Sequence, residues 1–338
     1  MKLLSIAVPC YNSQAYMRHC IDTLLTGGDE VEVLIVNDGS TDDTAAIADA
    51  YATAYPGQVK VLHKENGGHG DAVMAGLRQA TGVYFKVVDS DDWVDGSALR
   101  KVLDVLRGHA SPSTTIDLMV CNYVYDKAGA THKHVVQYRN ALPKNRLITW
   151  KETRPFRMGQ YVLMHAAIFS RQLLLDCGVV LPRKTFYVDN LYAYQPLLAV
   201  RTLYYLDVDL YHYFIGRSDQ SVNERVMIGR CDQQIRVNRM MMQVADFTQV
   251  APGRKRRYMR NYMEIVTTVS SILLVKSGTE EDLRRKKQLW AEMKAEHPGI
   301  YRSLRWRPLG IALHLPGKMG RRLMVYGYEL SQRVVGFN

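Results

Sequence analysis

The chain lacks the features that would place it outside a cell or across a membrane. Its five cysteines, Cys10, Cys20, Cys121, Cys177 and Cys231, lie far apart without a C-x-x-C pair. Neither a disulfide framework nor a zinc ribbon is expected, and a reducing, cytoplasmic setting fits. No apolar run reaches the roughly 18 to 20 residues that a spanning helix needs; the longest candidate, IVTTVSSILLV at 265–275, stops well short. Before Pro9 stand only six apolar-leaning residues, too few for a signal-peptide core. Internal repeats, low-complexity tracts and nucleic-acid-binding signatures are also missing, so no nucleic-acid partner is expected. The histidines show no zincin spacing. His132 and His134 share one face of a strand, and His63, His165 and His212 are scattered, so structural or solvent roles are expected for them. His69 is the exception, because it sits in a glycine loop.

What is present belongs to a globular protein: 338 residues, 47% hydrophobic and 23% charged, enough for one large core or a core with a smaller appendage. Charge is unevenly placed. Residues 253–338 hold 18 Lys and Arg against 7 Asp and Glu, a net +11, and the rest of the chain has 26 of each sign. A neutral body with a basic end suggests an anionic surface partner.

Over residues 1–107, short apolar runs (LLSIAV, VEVLIV, VKVLH, VYFKVV) alternate at regular spacing with helix-like stretches at 15–25, 42–54, 71–80 and 97–107. This rhythm predicts right-handed βαβ crossovers and a parallel sheet, with ligands beyond the carboxyl ends of the strands. From about 115 the pattern changes. TTIDLMVCNYVYD and THKHVVQY look like an antiparallel hairpin, and after about 225 the reading is helical, at 224–248, 254–276 and 280–296. Thr279 with Asp282 three residues on opens the last of these as a capping box.

Polar groups collect at the strand ends: VPCYNS (8–13), NDGSTDD (37–43), ENGGHGDA (65–72) and DSDDW (89–93). NDGSTDD also reads as a plain turn with Ser40 or Thr41 as a helix cap, and NGGHG as a flexible turn. The acids are harder to read as ordinary surface. Asp89, Asp91 and Asp92 put three carboxylates in four positions after a buried strand, which costs free energy unless a cation or hydrogen-bond donors compensate. A hard cation, Mn²⁺ or Mg²⁺, suits such a set. Lys86, in the strand before them, either snorkels to a sheet edge or balances these acids.

VPCYN, VLIVNDGSTDDT, NGGHGDAVMAGL and FKVVDSDDW, in this order and spacing, resemble the family 2 glycosyltransferases of the GT-A fold over roughly residues 1–225. The resemblance implies an α/β fold with a mostly parallel, Rossmann-like central sheet. It implies a catalytic domain at 1–225, made of a nucleotide-binding half (1–107) and an acceptor-side half (108–225); the pattern and charge beyond it predict a basic helical region at 226–338. It also implies transfer of a sugar from a UDP-sugar to an acceptor hydroxyl with inversion. On that basis Pro9, Tyr11 and Asp38 meet the nucleotide base, and Asn12 and Gly68 belong to the nucleotide-sugar site. Asp89 lies near the ribose, Asp91 binds the metal on the diphosphate, and Asp92 with Trp93 supports the sugar. The general base falls to Asp189 in KTFYVDNLYAYQPL, where Val188 replaces the family's usual Glu; an N-cap reading of Asp189 is compatible with that role. Arg217 and Ser221 of YHYFIGRSDQSVN close over the diphosphate or form a plain surface loop.

The C-terminal stretches GRKRRYMRNYMEIVTTVSSILLVK and YRSLRWRPLGIALHLPGKMGRRLMVYGYELSQRVVGF mix Arg clusters with apolar residues, Trp306 standing between Arg305 and Arg307. They suit a helix in an anionic membrane interface, a groove for an anionic polymer, or helices packed on the catalytic domain. A lipid-linked or polymer acceptor, and peripheral placement on the cytoplasmic face, follow from the first two. A nicotinamide-dependent oxidoreductase fits less well, because the glycine loop follows the third strand and Val73 stands where G-x-G-x-x-G needs its last glycine. A sugar nucleotidyltransferase would carry a glycine- and arginine-rich loop where PCYNSQAY stands. An inactive, membrane-associated sugar-binding protein is the non-enzymatic rival, and intact Asp89, Asp91 and Asp189 argue against it.

Overall fold

The computed structural model describes residues 1–111, 113–127, 133–215 and 224–335. The chain opens with β1 (Leu4–Cys10), α1 (Met17–Leu25), β2 (Val31–Asp38), α2 (Thr44–Ala54), β3 (Val59–Lys64), α3 (His69–Gln79) and β4 (Tyr84–Val87). β1, β2 and β4 are buried along their whole length. Both their faces are covered, which is why they read as continuous apolar runs. β3 lies at the sheet edge and exposes Lys60 and His63. The four strands pair in parallel in the order β3-β2-β1-β4, as the crossovers dictate.

Beyond β4 the sheet becomes mixed. There follow β5 (Trp93–Val94), α4 (Gly96–Gly108), β6 (Leu118–Lys127), β7 (His134–Val136), β8 (Leu147–Thr149), β9 (Ala167–Ser170), α5 (Arg171–Asp176), α6 (Asp189–Tyr194) and β10 (Thr202–Ile215). β9 runs antiparallel between β4 and β6, and β10 lies parallel to β6. β5 and β8 add to β10, and β7 closes the expected hairpin on β6, Tyr123 facing Val136. The expected parallel order therefore holds over the first four strands and gives way to mixed pairing after them.

The chain divides into two compact units, Met1–Arg154 with Val162–Gly216, and Pro155–Tyr161 with Arg217–Asn338. The first contains the sheet. The second is helical: α7 (Glu224–Ile228), α8 (Cys231–Val244), α9 (Arg254–Lys276), α10 (Glu280–Glu296), α11 (Pro298–Arg305), α12 (Pro308–Ala312) and α13 (Gly317–Val335). The helix expected over 224–248 is broken at Gly229 and Arg230, glycine being a poor interior helix residue. α9 is the centre of this unit, with Met259, Tyr262, Met263 and Leu274 nearly inaccessible. Asn238 of α8 donates to Thr267 Oγ1 (3.1 Å), and Trp290 of α10 donates to Ser271 Oγ (3.0 Å). Thr279 caps α10 as expected, accepting the Asp282 N–H at 3.1 Å. Among the described residues no helix is long and apolar enough to cross a membrane.

One buried acid ties the parallel strands together. Glu32 of β2, 1% exposed, accepts from Ser5 Oγ and Lys60 Nζ (2.6 Å each) and from the N–H and Oγ1 of Thr81 (2.9 Å each). Burial pushes its carboxyl up, and these donors more than reverse the effect, leaving it below the usual carboxylate range. Glu32→Ala strands the Ser5 hydroxyl and the Thr81 amide, and is expected to cost about 3 kcal/mol in urea unfolding. With the folded carboxyl titrating low, its contribution is complete above the ordinary carboxylate range and is lost as pH falls through the folded value. The difference between parent and variant should therefore shrink in acid.

Candidate active site

Parallel strands deliver their carboxyl ends to one side of the sheet, and the polar loops gather there. Pro9 is buried in the end of β1, and Tyr11 beyond it is exposed. Asn12 adopts φ +51°, a conformation asparagine tolerates better than most residues. Its amide donates to Ser40 Oγ (3.0 Å), and its Oδ1 accepts the Thr41 N–H (2.9 Å). Ser40 and Thr41 thus stitch the first two loops together instead of capping a helix. α2 starts later, and the Asp42 carboxylate takes the Thr44 N–H at 3.0 Å.

Asp38 ends β2 with its side chain turned inward. Its Oδ1 accepts the Gly67 N–H (2.8 Å) and Lys64 Nζ (2.6 Å), and its Oδ2 accepts the Gly68 N–H (2.7 Å). These bonds hold the glycine loop on the side where the nucleotide base is expected. Gly68 leads into α3 at φ +84°, and a Cβ there would meet the Lys184 backbone at 3.0 Å. Lys184 in turn donates its N–H to Gly67 O (2.6 Å). Glycine is required by both the dihedral and the close approach, and the result binds the glycine loop to the segment before Asp189.

The acid turn divides its carboxylates. Asp92 is buried; its Oδ1 accepts the Phe214 N–H (2.8 Å) and its Oδ2 accepts the Tyr211 hydroxyl (2.5 Å). Burial, reinforced by the charges of Asp91 and Asp89, pushes its carboxyl well up. Asp91 is half-buried on the same turn. Asp89 is also half-buried, with Oδ1 at 2.7 Å from His69 Nε2 and Oδ2 at 4.0 Å from His165 Nε2. Burial opposes charge on both members of the His69–Asp89 pair, but their mutual attraction wins: the imidazole titrates high and the carboxyl low. Ser13 Oγ and Ser90 Oγ lie 2.8 Å apart and fasten this turn to the end of β1. Trp93, expected beside the sugar, stacks on His212 at 5.4 Å.

Lys86 does not snorkel. Its ammonium is buried, donating to the carbonyls of His165 (2.7 Å) and Ala167 (3.4 Å), and lies 5.0 Å from the Tyr211 ring centre. Burial drives it down to about 8, while Cys121, Asp89 and Asp92 pull the other way. Burial drives His165 down to about 4, its Nδ1 has no hydrogen-bond partner among the described residues, and its ring lies on Tyr213 at 4.5 Å. Sequence reasoning gave His165 a structural or solvent role. Its apolar setting, LMHAAIF, carries no signal, and only the pairing of β9 with β4 brings it to the acids.

Asp189 is the first residue of α6; Val188 is the N-cap residue, and no side chain caps this helix. Lys184 (φ +48°) and Tyr187 (φ +65°) hold strained backbone just before it, the kind of cost that is maintained where geometry matters. Burial raises the Asp189 carboxyl to about 6, with Asp89 adding to the rise and His69 opposing it. Asp38, Gly68, Asp89, Asp91, Asp92 and Asp189 are thus linked around one end of the sheet. Arg217, Ser221 and His132 lie outside the described residues. Among the described residues, Asp89, Asp92 and His165 each offer a ligand atom, all within 4.8 Å of one another, as a group able to hold a metal ion; Asp91 is not part of that group.

This is an α/β fold with acids of opposed titration gathered at the carboxyl ends of its parallel strands. Residues 5–173 match Glycosyl transferase family 2, and the chain belongs to this family. It is 27% identical to EpsH of Bacillus subtilis (strain 168), named as a glycosyltransferase, over 225 residues, covering 64% of this chain and 61% of EpsH. The match thus spans about three fifths of that relative's length. Among solved structures, residues 1–349 of S. aureus TarS in complex with UDP superimpose with a TM-score of 0.53 at 19% identity, covering 98% of this chain and 92% of that one. The mannosyltransferase PcManGT from Pyrobaculum calidifontis, in complex with GDP-Man and Mn²⁺, gives 0.52 at 15% identity, covering 96% and 86%. These likenesses establish the GT-A fold.

Proposed function

We propose that the chain moves a sugar from a UDP-sugar to an acceptor hydroxyl with inversion. The acceptor is a saccharide carried on lipid or on a cell-surface polymer, met on the cytoplasmic side by an enzyme peripheral to an anionic membrane. One observation carries the reaction: two carboxyls at the same sheet end titrate in opposite directions, Asp89 low and Asp189 up to about 6. Such a split marks a permanently charged group beside a proton acceptor. Asp189 takes the acceptor proton as the hydroxyl attacks from the face opposite the leaving group. Asp89 stays charged near the ribose, held by His69. Asp38 shapes the glycine loop, Gly68 lets the loop approach the nucleotide, and Pro9, Tyr11 and Asn12 line the base side. Asp92 braces the turn from inside, and Arg217 and Ser221 are the proposed contacts of the diphosphate.

The carboxylates and imidazole around the turn suit Mn²⁺ or Mg²⁺, and Asp91 with Asp89 would hold the ion. Asp92 has both oxygens engaged and a raised carboxyl, which makes it the poorer ligand. Bound there, the ion would offset charge on the departing diphosphate. UDP in the TarS complex and Mn²⁺ in the PcManGT complex support this choice of donor and cofactor. The test is a panel of UDP- and GDP-sugars without acceptor, read by nucleoside diphosphate release with Mn²⁺ or with EDTA. One UDP-sugar should be hydrolysed slowly and only with the ion. Release from none of them, or release that EDTA leaves unchanged, would defeat the proposal.

A further inference from the structure

The stretch whose sequence most suggested a membrane helix, 254–276, is α9, and most of its apolar residues are interior. Arg307, expected beside Trp306 at an interface, is engaged with Glu264 (2.8 Å) and Asn261 (3.3 Å). The unpartnered apolar surface lies elsewhere. On α13, Met319 (67% exposed), Leu323 (57%), Tyr326 (67%) and Leu330 (51%) all face solvent. At about 100° per residue these four fall within an arc of roughly 60°. A different side of the helix does the packing: Gly320 and Met324 are buried, and Glu329 meets Lys276 of α9 at 3.0 Å. α13 therefore has two apolar stripes, and only one is used.

Charge identifies what would cover the other. From 299 to 335 the sequence has seven Lys and Arg and a single acid, Glu329, which is paired. Arg322 and Lys318 are exposed on the flank of the stripe, and Trp306 is 67% exposed with the Arg305 guanidinium 4.6 Å from its ring centre. A second copy of the chain would press these like charges together. An anionic bilayer offers hydrocarbon for Met, Leu and Tyr, and headgroups for the flanking cations. α13 is not apolar enough to span, so it would lie in the plane.

We propose that the 319–323–326–330 face of α13 is a docking surface for an anionic lipid bilayer, entering the interface without crossing it. This rests on the peripheral-membrane part of the reading above and gives it a location. The experiment is flotation of the full chain with phosphatidylcholine vesicles, with and without phosphatidylglycerol, alongside Leu323→Glu/Tyr326→Glu and the Arg variant Lys318→Glu/Arg322→Glu. UDP-sugar hydrolysis and unfolding temperature are read in parallel. The parent should float with phosphatidylglycerol vesicles and much less with neutral ones. Leu323→Glu/Tyr326→Glu should lose binding by roughly tenfold or more, with hydrolysis and unfolding unchanged, and the Arg variant should lose it as well. No flotation of the parent would overturn the proposal, as would loss in the Arg variant alone, which means surface charge without insertion. A parent that is dimeric in solution, and monomeric in Leu323→Glu/Tyr326→Glu, with no lipid binding would assign the face to a second copy. Normal flotation with no hydrolysis would leave the face standing and remove the transfer reading.

Discussion

Asp189→Asn is expected to lower sugar transfer by 10²- to 10⁴-fold while the affinity for UDP stays within a factor of two or so. The amide keeps the shape of the carboxylate and cannot take a proton. Because burial lifts Asp189 to about 6, the parent's kcat/KM should fall about tenfold per unit below pH 6 as the base becomes protonated, and level off above it. The Asn variant should lack that acid limb. The same shift supplies a control for folding. A carboxyl whose folded pKa is raised makes its most favourable contribution when protonated, and that contribution is lost as pH rises through about 6. At pH 7.5 the neutral amide removes that cost, so the variant should unfold no earlier than the parent. Calorimetry with UDP, a pH–rate profile and a melting curve decide the matter. Normal turnover with weakened UDP binding would move Asp189 to the donor side.

The parallel half of the sheet was legible because strands covered on both faces must be continuously apolar, and VEVLIV leaves few other readings. The hairpin of β6 and β7 and the cap on α10 were legible for the same local reason. β9 was not: AIFS is short, and its place beside β4 depends on pairing Phe85 with Phe169 and Tyr84 with Ser170, 84 and 86 positions apart. From that pairing come the two features that sequence could not supply, the resting place of Lys86 and the approach of His165 to Asp89. The acid turn was visible as an electrostatic anomaly. Its division of labour was not, since only the tertiary partners, Tyr211 and Phe214 on β10, show that Asp92 faces inward. Asp38 makes the same point: NDGSTDD gives its position at the strand end, while its bonds to Gly67 and Gly68 depend on where the loop after β3 folds back.

That division yields the second large effect, in which neighbouring aspartates should fail in opposite ways. Asp91→Ala is expected to reduce ion-dependent transfer by 10³-fold or more, the several kcal/mol a bound cation contributes to a developing diphosphate charge. Its unfolding midpoint should move less than that of Asp92→Ala, because Asp91 is half-buried and Asp92 is buried. Asp92→Ala should behave as a folding mutation. It removes the acceptor from the Phe214 amide and the Tyr211 hydroxyl, at a cost of about 2–4 kcal/mol for two stranded buried donors. Asp92→Asn, which keeps one oxygen acceptor, should recover part of that loss. Its raised carboxyl gives a further sign: Asp92 stabilises most when protonated, and that contribution fades as pH rises through its folded value, so Asn should approach the parent more closely at alkaline pH. Manganese-dependent UDP calorimetry, run beside urea unfolding, separates the two residues. If Asp92→Ala instead kept its midpoint and lost manganese affinity while Asp91→Ala bound normally, the cation would belong inside, among Asp89, Asp92 and His165. The buried Lys86 would then be a charge competing with the ion, and Lys86→Met should tighten manganese binding.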